Sequence, residues 1–125
     1  MGEDVLVEVG TYIDIFNQIT GQNLPCGPIV QSTGLVVHIR KHHPDIVQFM
    51  NWIPTIIDYP DYVGHNPRET QSIELVKRLD KNLMVCVKLD CEKDRLYVAS
   101  LYDITDSKLE SRVKSGRLKL YGNKS

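Results

Sequence analysis

Three of the four histidines in this chain stand within six residues, in the run His38-Ile39-Arg40-Lys41-His42-His43-Pro44. Imidazole is the one side chain whose ordinary pKa lets it give and take protons near neutral pH. Set beside Arg40 and Lys41, these histidines suit chemistry on an anionic substrate, with phosphate the obvious choice. The same residues could also form a metal site, or simply the polar end of a helix.

On a helix His38 and His42 lie four apart and share one face, while Ile39 and His43 share another. Leu35, Val36 and Ile39 supply the buried side, which puts His43 near the core edge and His42 in solvent. Paired histidines at this spacing can chelate zinc, but the HExxH arrangement needs a glutamate after the first histidine. Ile39 stands there instead, and Asp45 is the nearest carboxylate. Metal binding is therefore the weaker reading, and neither metal nor cofactor is expected.

General acid–base chemistry is the stronger one. Metal-free RNA cleavage must activate a 2′-hydroxyl, protonate the departing 5′-oxygen and neutralise the phosphate oxygens. His38, His43, Lys77, Lys108 and Arg117 are the residue types for this work, and Ser100 and Tyr102 can serve as hydroxyl partners. Tyr59, Tyr62, Tyr97, Tyr102 and Tyr121 are candidate stacking platforms for unpaired bases. By strand parity Tyr102 sides with Ser100, and Tyr97 falls opposite, under the helices. Trp52 reads as a core residue. The GxxxxGK[ST], GxGxxG and GxSxG signatures do not occur in the chain, so phosphate-loop, dinucleotide and serine-hydrolase readings have no support.

These residues must be positioned by the elements around them. Val5, Leu6, Val7 and Val9 predict a short opening strand. Tyr12, Ile13, Phe16 and Ile19 follow at helical spacing, with Gly21 as a stop. Gln22 to Pro28 is a loop, and Ile29-Val30-Gln31 a short strand. A helix capped by Ser32 or Thr33 runs to about His43, where Pro44 forces a break. A second helical pattern spans Ile46 to Ile57, and Pro54 kinks it or begins a further turn. Tyr59-Pro60-Asp61 and Gly64-His65-Asn66-Pro67 are turns.

From Ser72 the period changes to two, in three alternations around Ile73–Leu79, Leu83–Leu89 and Leu96–Tyr102, joined by hairpin-length connections. Asp106 or Ser107 caps a helix to about Lys114, Gly116 ends it, and Leu118–Tyr121 can add a last strand. The expectation is an α+β fold, with N-terminal helices followed by a three- to four-stranded antiparallel sheet.

At 125 residues, with 42% hydrophobic and 25% charged side chains, the chain is long enough for one core and too short for two. It lacks an apolar run of membrane-spanning length and a basic-then-apolar leader, so a cytoplasmic location and no membrane partner are expected. Cys26, Cys86 and Cys91 are odd in number and lack a CxxC spacing, which argues against a disulfide framework or a cysteine zinc site. Cys86 reads as a small core residue.

The net charge of −1 hides an asymmetry. Residues 1–37 hold Glu3, Asp4, Glu8 and Asp14 with no lysine or arginine. Residues 107–125 hold Lys108, Arg112, Lys114, Arg117, Lys119 and Lys124 against Glu110 alone. A basic face of that kind suits phosphate contacts.

The stretch Ser32-Thr33-Gly34-Leu35-Val36-Val37-His38-Ile39-Arg40-Lys41-His42-His43-Pro44 resembles the helix motif of phage-associated nuclease domains in the barnase–EndoU–colicin–RelE superfamily. Ile53-Pro54 with Ile56 to Gly64 is similar to the second helix of that family and the turn after it. Ser72 to Lys77 resembles its first sheet strand, Leu96 to Tyr102 the strand bearing a hydroxyl residue, and Ser107-Lys108 with Ser115 to Lys119 its closing segment. The resemblance covers about residues 28–120, leaving 1–27 as an N-terminal extension of a single domain.

The resemblance implies a metal-independent endoribonuclease of toxin or mobile-element type, acting on RNA, with tRNA among the candidate substrates, and restrained by a separate immunity or antitoxin protein. By position His38 and His43 match the two motif histidines, Lys77 the strand cation and Ser100 the strand hydroxyl, where threonine is frequent. Tyr102, Lys108 and Arg117 are the expected substrate-binding residues, and His42 has no matching role. The alternative is a non-catalytic RNA- or protein-binding domain of a phage or mobile-element protein.

Overall fold

A computed structural model describes residues 5–121; Glu3, Asp4 and Lys124 lie outside the described residues. The chain opens with strand β1 (Leu6–Tyr12), then helix α1 (Asp14–Thr20), which ends where Gly21 takes a left-handed φ of 75° and donates to the Asn17 carbonyl at 2.8 Å. Strand β2 (Gly27–Ser32) returns antiparallel to β1, with Leu6 opposite Ser32 and Tyr12 opposite Gly27.

Helix α2 spans Leu35–His42. Its N-cap is Gly34, without a side-chain cap bond, and neither Ser32 nor Thr33 fills that role. Ser32 Oγ instead accepts from the Gly34 N–H at 3.0 Å, fixing the corner between strand and helix. Pro44 opens a 3-10 helix (Pro44–Trp52), and α3 (Ile53–Asp58) follows. Pro54 sits in the first turn of α3, where its missing N–H leaves no bond unmade, so it begins a helix rather than kinking one.

The second half holds β3 (Tyr62–Gly64), β4 (Ser72–Arg78), β5 (Asn82–Asp90), β6 (Arg95–Ile104), α4 (Asp106–Ser115) and β7 (Leu118–Leu120). The cap of α4 is Thr105, whose hydroxyl accepts from the Lys108 N–H at 3.1 Å, one residue before the expected Asp106 or Ser107.

The seven strands of the described residues join one sheet in the order β1-β2-β6-β5-β4-β3-β7, which overturns the expectation of N-terminal helices followed by a three- to four-stranded antiparallel sheet. The fold remains α+β, but the sheet is mixed, because β2 runs parallel to β6 at Ile29↔Leu96 and Val30↔Tyr97. Two strands also precede α2. The apolar alternation around Val5–Val9 and Ile29–Val30 marks strands, but nothing local marks which distant strand they pair with.

One face of the sheet packs on the helices before β3. Tyr12, Phe16, Leu35, Ile39, Ile46, Ile53, Ile56 and Ile57 meet Ile73, Leu75, Leu83, Val85, Val87 and Leu101 in the main core. Each fully buried side chain of this size contributes about 1.5–3 kcal/mol over an exposed one. The other face has a smaller cluster, Val76, Met84, Ile104 and Leu118 under Leu109 of α4. Trp52, expected in the core, is 38% exposed.

Candidate functional site

The face under α4 is built in cross-strand rows. Ser72 pairs with Lys88, Glu74 with Cys86 and Cys86 with Ser100, then Val76 with Met84 and Met84 with Tyr102. Paired residues point to the same side, so the face changes from polar to apolar along the strands. Ten residues of helix reach only about 15 Å. Helix α4 covers the apolar end, at Val76, Met84 and Ile104. The polar end stays open as a cavity of about 310 Å³, lined by Ser72, Glu74, Cys86, Lys88, Ser100 and Tyr102 from the sheet, His38 from α2, and Asn66 and Glu69 from the loop after β3.

The histidines reach this face because of where β2 stops. Its pairing with β6 ends at Val30, and α2 then packs beside β6. Leu35 and Ile39 anchor the helix in the main core, which leaves His38 on the cavity side. The His43 ring lies on Tyr102, centroids 5.3 Å apart and planes 21° from parallel. His42 is exposed and contacts the His38 ring at 4.7 Å.

His38, His43, Ser100 and Tyr102 are thus gathered at one place, and the remaining expected residues are distributed elsewhere. Lys77 shares strand parity with Ile73 and Leu75 and pairs with Leu83, which places it on the helix-packed face. Its Nζ donates to the Tyr59 carbonyl at 2.8 Å and meets Asp61 at 3.9 Å. Lys108 lines a separate groove under α4. Arg117 lines that groove too, but its guanidinium crosses to Glu74, with Nε to Oε1 at 2.9 Å and Nη2 to Oε2 at 2.6 Å.

Glu74 and Lys88 belong to the site and were missed. Glu74 is 3% exposed, with both carboxylate oxygens held by Arg117, and Lys88 Nζ meets Glu69 at 2.7 Å. The signal was available for both: Ser72, Glu74, Cys86 and Lys88 alternate with Ile73, Val85 and Val87, so parity alone puts them opposite the main core. Tyr97 also falls on the cavity side, against expectation. The β5–β6 register slips between Cys86 and Val87, so that Val98 pairs with Val87 and Tyr97 with Lys88. This bulge inserts Ala99 and reverses the parity of everything before it.

Burial and hydrogen bonding set the charge states around the cavity. Burial, with Glu74 adding to it, pushes the Cys86 thiol up to about 11, so it stays protonated and is no nucleophile at neutral pH. The Tyr102 hydroxyl is pushed well above its usual value by burial and by Cys86, and is a neutral donor. The bond to Glu69 raises Lys88, and the bonds to Glu74 raise Arg117, so both remain cations. Among the described residues, no group of three or more His, Cys, Asp or Glu is placed to hold a metal ion. No helix among them is long and apolar enough to cross a membrane.

A family profile described as phage-Barnase-EndoU-ColicinE5/D-RelE like nuclease 3 matches residues 8–111. The chain belongs to this nuclease family. The match begins within β1 and ends within α4, so it takes in the whole cavity lining but stops short of Arg117 and Lys119. No curated protein and no solved structure matches the chain significantly.

Proposed function

We propose that this nuclease cleaves RNA without a metal, by attack of a ribose 2′-oxygen on the adjacent phosphorus. The P–O5′ bond breaks as the P–O2′ bond forms, leaving a 2′,3′-cyclic phosphate and a free 5′-hydroxyl. His38 takes the 2′-hydroxyl proton and His43 gives a proton to the departing 5′-oxygen. Tyr102 donates a hydrogen bond to a phosphate oxygen and fixes the His43 ring from below, and Ser100 orients the same group. Lys88 and Arg117 supply the positive charge assigned from the sequence to Lys77 and Arg117, since Lys77 faces the other side of the sheet.

The observation that carries this reading is the convergence of His38, Ser100 and Tyr102 on one open cavity, with the His43 ring stacked on Tyr102. A cavity of about 310 Å³ is at the lower end of the range for small-molecule sites. A toxin or mobile-element role, held in check by a separate inhibitor, fits such an activity.

His38→Ala should lower cleavage of a mixed RNA substrate by roughly 10²–10⁴-fold. Cleavage should persist in EDTA, and a single 2′-deoxy nucleotide at the cut position should block it. A His38→Ala protein that cuts RNA at the wild-type rate, or a wild type that cuts the deoxy substrate equally well, refutes the assignment.

A further inference from the structure

The charges around the cavity are matched in pairs, Lys88 with Glu69 and Arg117 with Glu74. Such a site can stabilise a reacting phosphate but has little surplus charge to attract a polyanion. The surplus lies next door. A groove of about 690 Å³ between α4, β3 and β7 is lined by Lys108, Arg112, Arg117 and Lys119, and among the described residues no carboxylate lines it.

Lys108, Ser111, Arg112 and Ser115 recur at three and four residues, so one face of α4 presents two cations and two hydroxyls to the groove. Of the four cations only Arg117 has an ion-pair partner among the described residues. The Arg112 guanidinium donates to the Met84 sulfur at 3.8 Å.

The groove and the cavity share walls. Arg117 lines one and its partner Glu74 the other. The loop after β3 is likewise divided, with His65 and Pro67 facing the groove and Asn66 and Glu69 the cavity.

We infer that this groove binds the phosphodiester backbone of the single RNA strand whose next nucleotides occupy the cavity. The inference rests on the cavity being the cleavage centre. Lysine, arginine and serine are the residues that hold phosphates without reading base sequence, so the groove confers affinity and dependence on strand length, not sequence preference.

The test uses fluorescently labelled 2′-O-methyl oligonucleotides of two to twelve nucleotides, which bind but cannot be cut, and the double variant Lys108→Gln/Lys119→Gln. Both lysines are exposed, and neither has an ion pair among the described residues. Anisotropy should show wild-type affinity rising with length. In the variant that rise should shrink, and the slope of log affinity against log salt should fall by about 1.4, or about 0.7 for each cation removed from a single-strand contact. With a cleavable RNA the loss should fall on KM rather than kcat.

An unchanged slope and length dependence overturns the inference. So does a variant that loses binding to polyglutamate while keeping the oligonucleotide, which makes the groove a dock for an acidic protein. Because the binding arm needs no cleavage, a wild type that binds with the expected slope but never cuts RNA refutes the proposed chemistry and leaves the groove standing.

Discussion

Removing Arg117 should harm the fold more than removing Glu74, although the two make the same pair of bonds. The reason is burial. The Glu74 side chain is 4% exposed and that of Arg117 21%, so the carboxylate depends on its partner far more than the guanidinium does. Breaking a buried ion pair by deleting one member costs about 3–5 kcal/mol, because the other is left charged and dry. For Arg117→Ala the open cavity lets water reach the stranded carboxylate, which brings the expected cost to about 3 kcal/mol. For Glu74→Ala the guanidinium already lines a solvent-filled groove, and the cost should be about 1–2 kcal/mol. Deleting both leaves no stranded charge, so the double variant should be more stable than Arg117→Ala alone.

Urea unfolding followed by circular dichroism reads all three. At a slope of about 2 kcal/mol per molar, the Arg117→Ala midpoint should move down by about 1.5 M. Single-variant costs that simply add, or a Glu74→Ala cost equal to that of Arg117→Ala, would refute the reasoning. Either result makes the pair an ordinary surface contact whose members are both hydrated.

Two further outcomes follow from the placement of Cys86 and Lys77. Cys26 and Cys91 are exposed, and the Cys86 thiol is held up to about 11, so iodoacetamide at pH 8 should label two thiols quickly and the third slowly. The same burial sets a sign for stability: the unfolded thiol ionises near 9 and the folded one does not, so stability falls as pH rises from 9 to 11. Cys86→Ala should remove up to about 3 kcal/mol of that alkaline loss. Equal labelling of all three thiols counts against both statements. Lys77→Ala should leave RNA cleavage within about twofold of wild type and cost at most about 1 kcal/mol, since Lys77 meets Asp61 at a partly exposed pair. A collapse of kcat with normal stability would return Lys77 to the chemistry.

Much of this arrangement was legible in the residues, for identifiable reasons. The period-two runs after Ser72 read directly as strands because one side of each, such as Ile73 with Leu75 or Val85 with Val87, is buried in the main core. Helix α2 read correctly at Leu35 and Ile39, which in turn placed His43 half-buried and His42 exposed. The parallel pairing of Ile29 with Leu96 could not be read, since it joins segments far apart in sequence and depends on how β2 is threaded. The Ala99 bulge was equally hidden, because one extra residue in a strand leaves no mark beyond the alternation it breaks. Lys77 is a different case: its parity with Ile73 and Leu75 was in plain view, and the positional match to a family strand cation outweighed it.

Net charge would have led furthest astray. A chain at −1 gives no reason to expect affinity for a polyanion, yet four of the six cations in residues 107–125 line a single groove in which no described residue is a carboxylate. The acidic residues that bring the sum below zero are spent elsewhere. Glu69 and Glu74 neutralise cations at the cavity wall, and Asp61, Asp103 and Asp106 pair with Lys77, Lys81 and Arg78 away from it. Surface charges act over roughly a Debye length, about 8 Å at physiological salt, so a polyanion responds to the charges nearest it and not to the total. On the function proposed above, the balanced cavity beside it would gain from that separation: its paired cations are held by hydrogen bonds and ion pairs, while the attraction for a strand would come from lysines that touch none of the proposed proton-transferring groups.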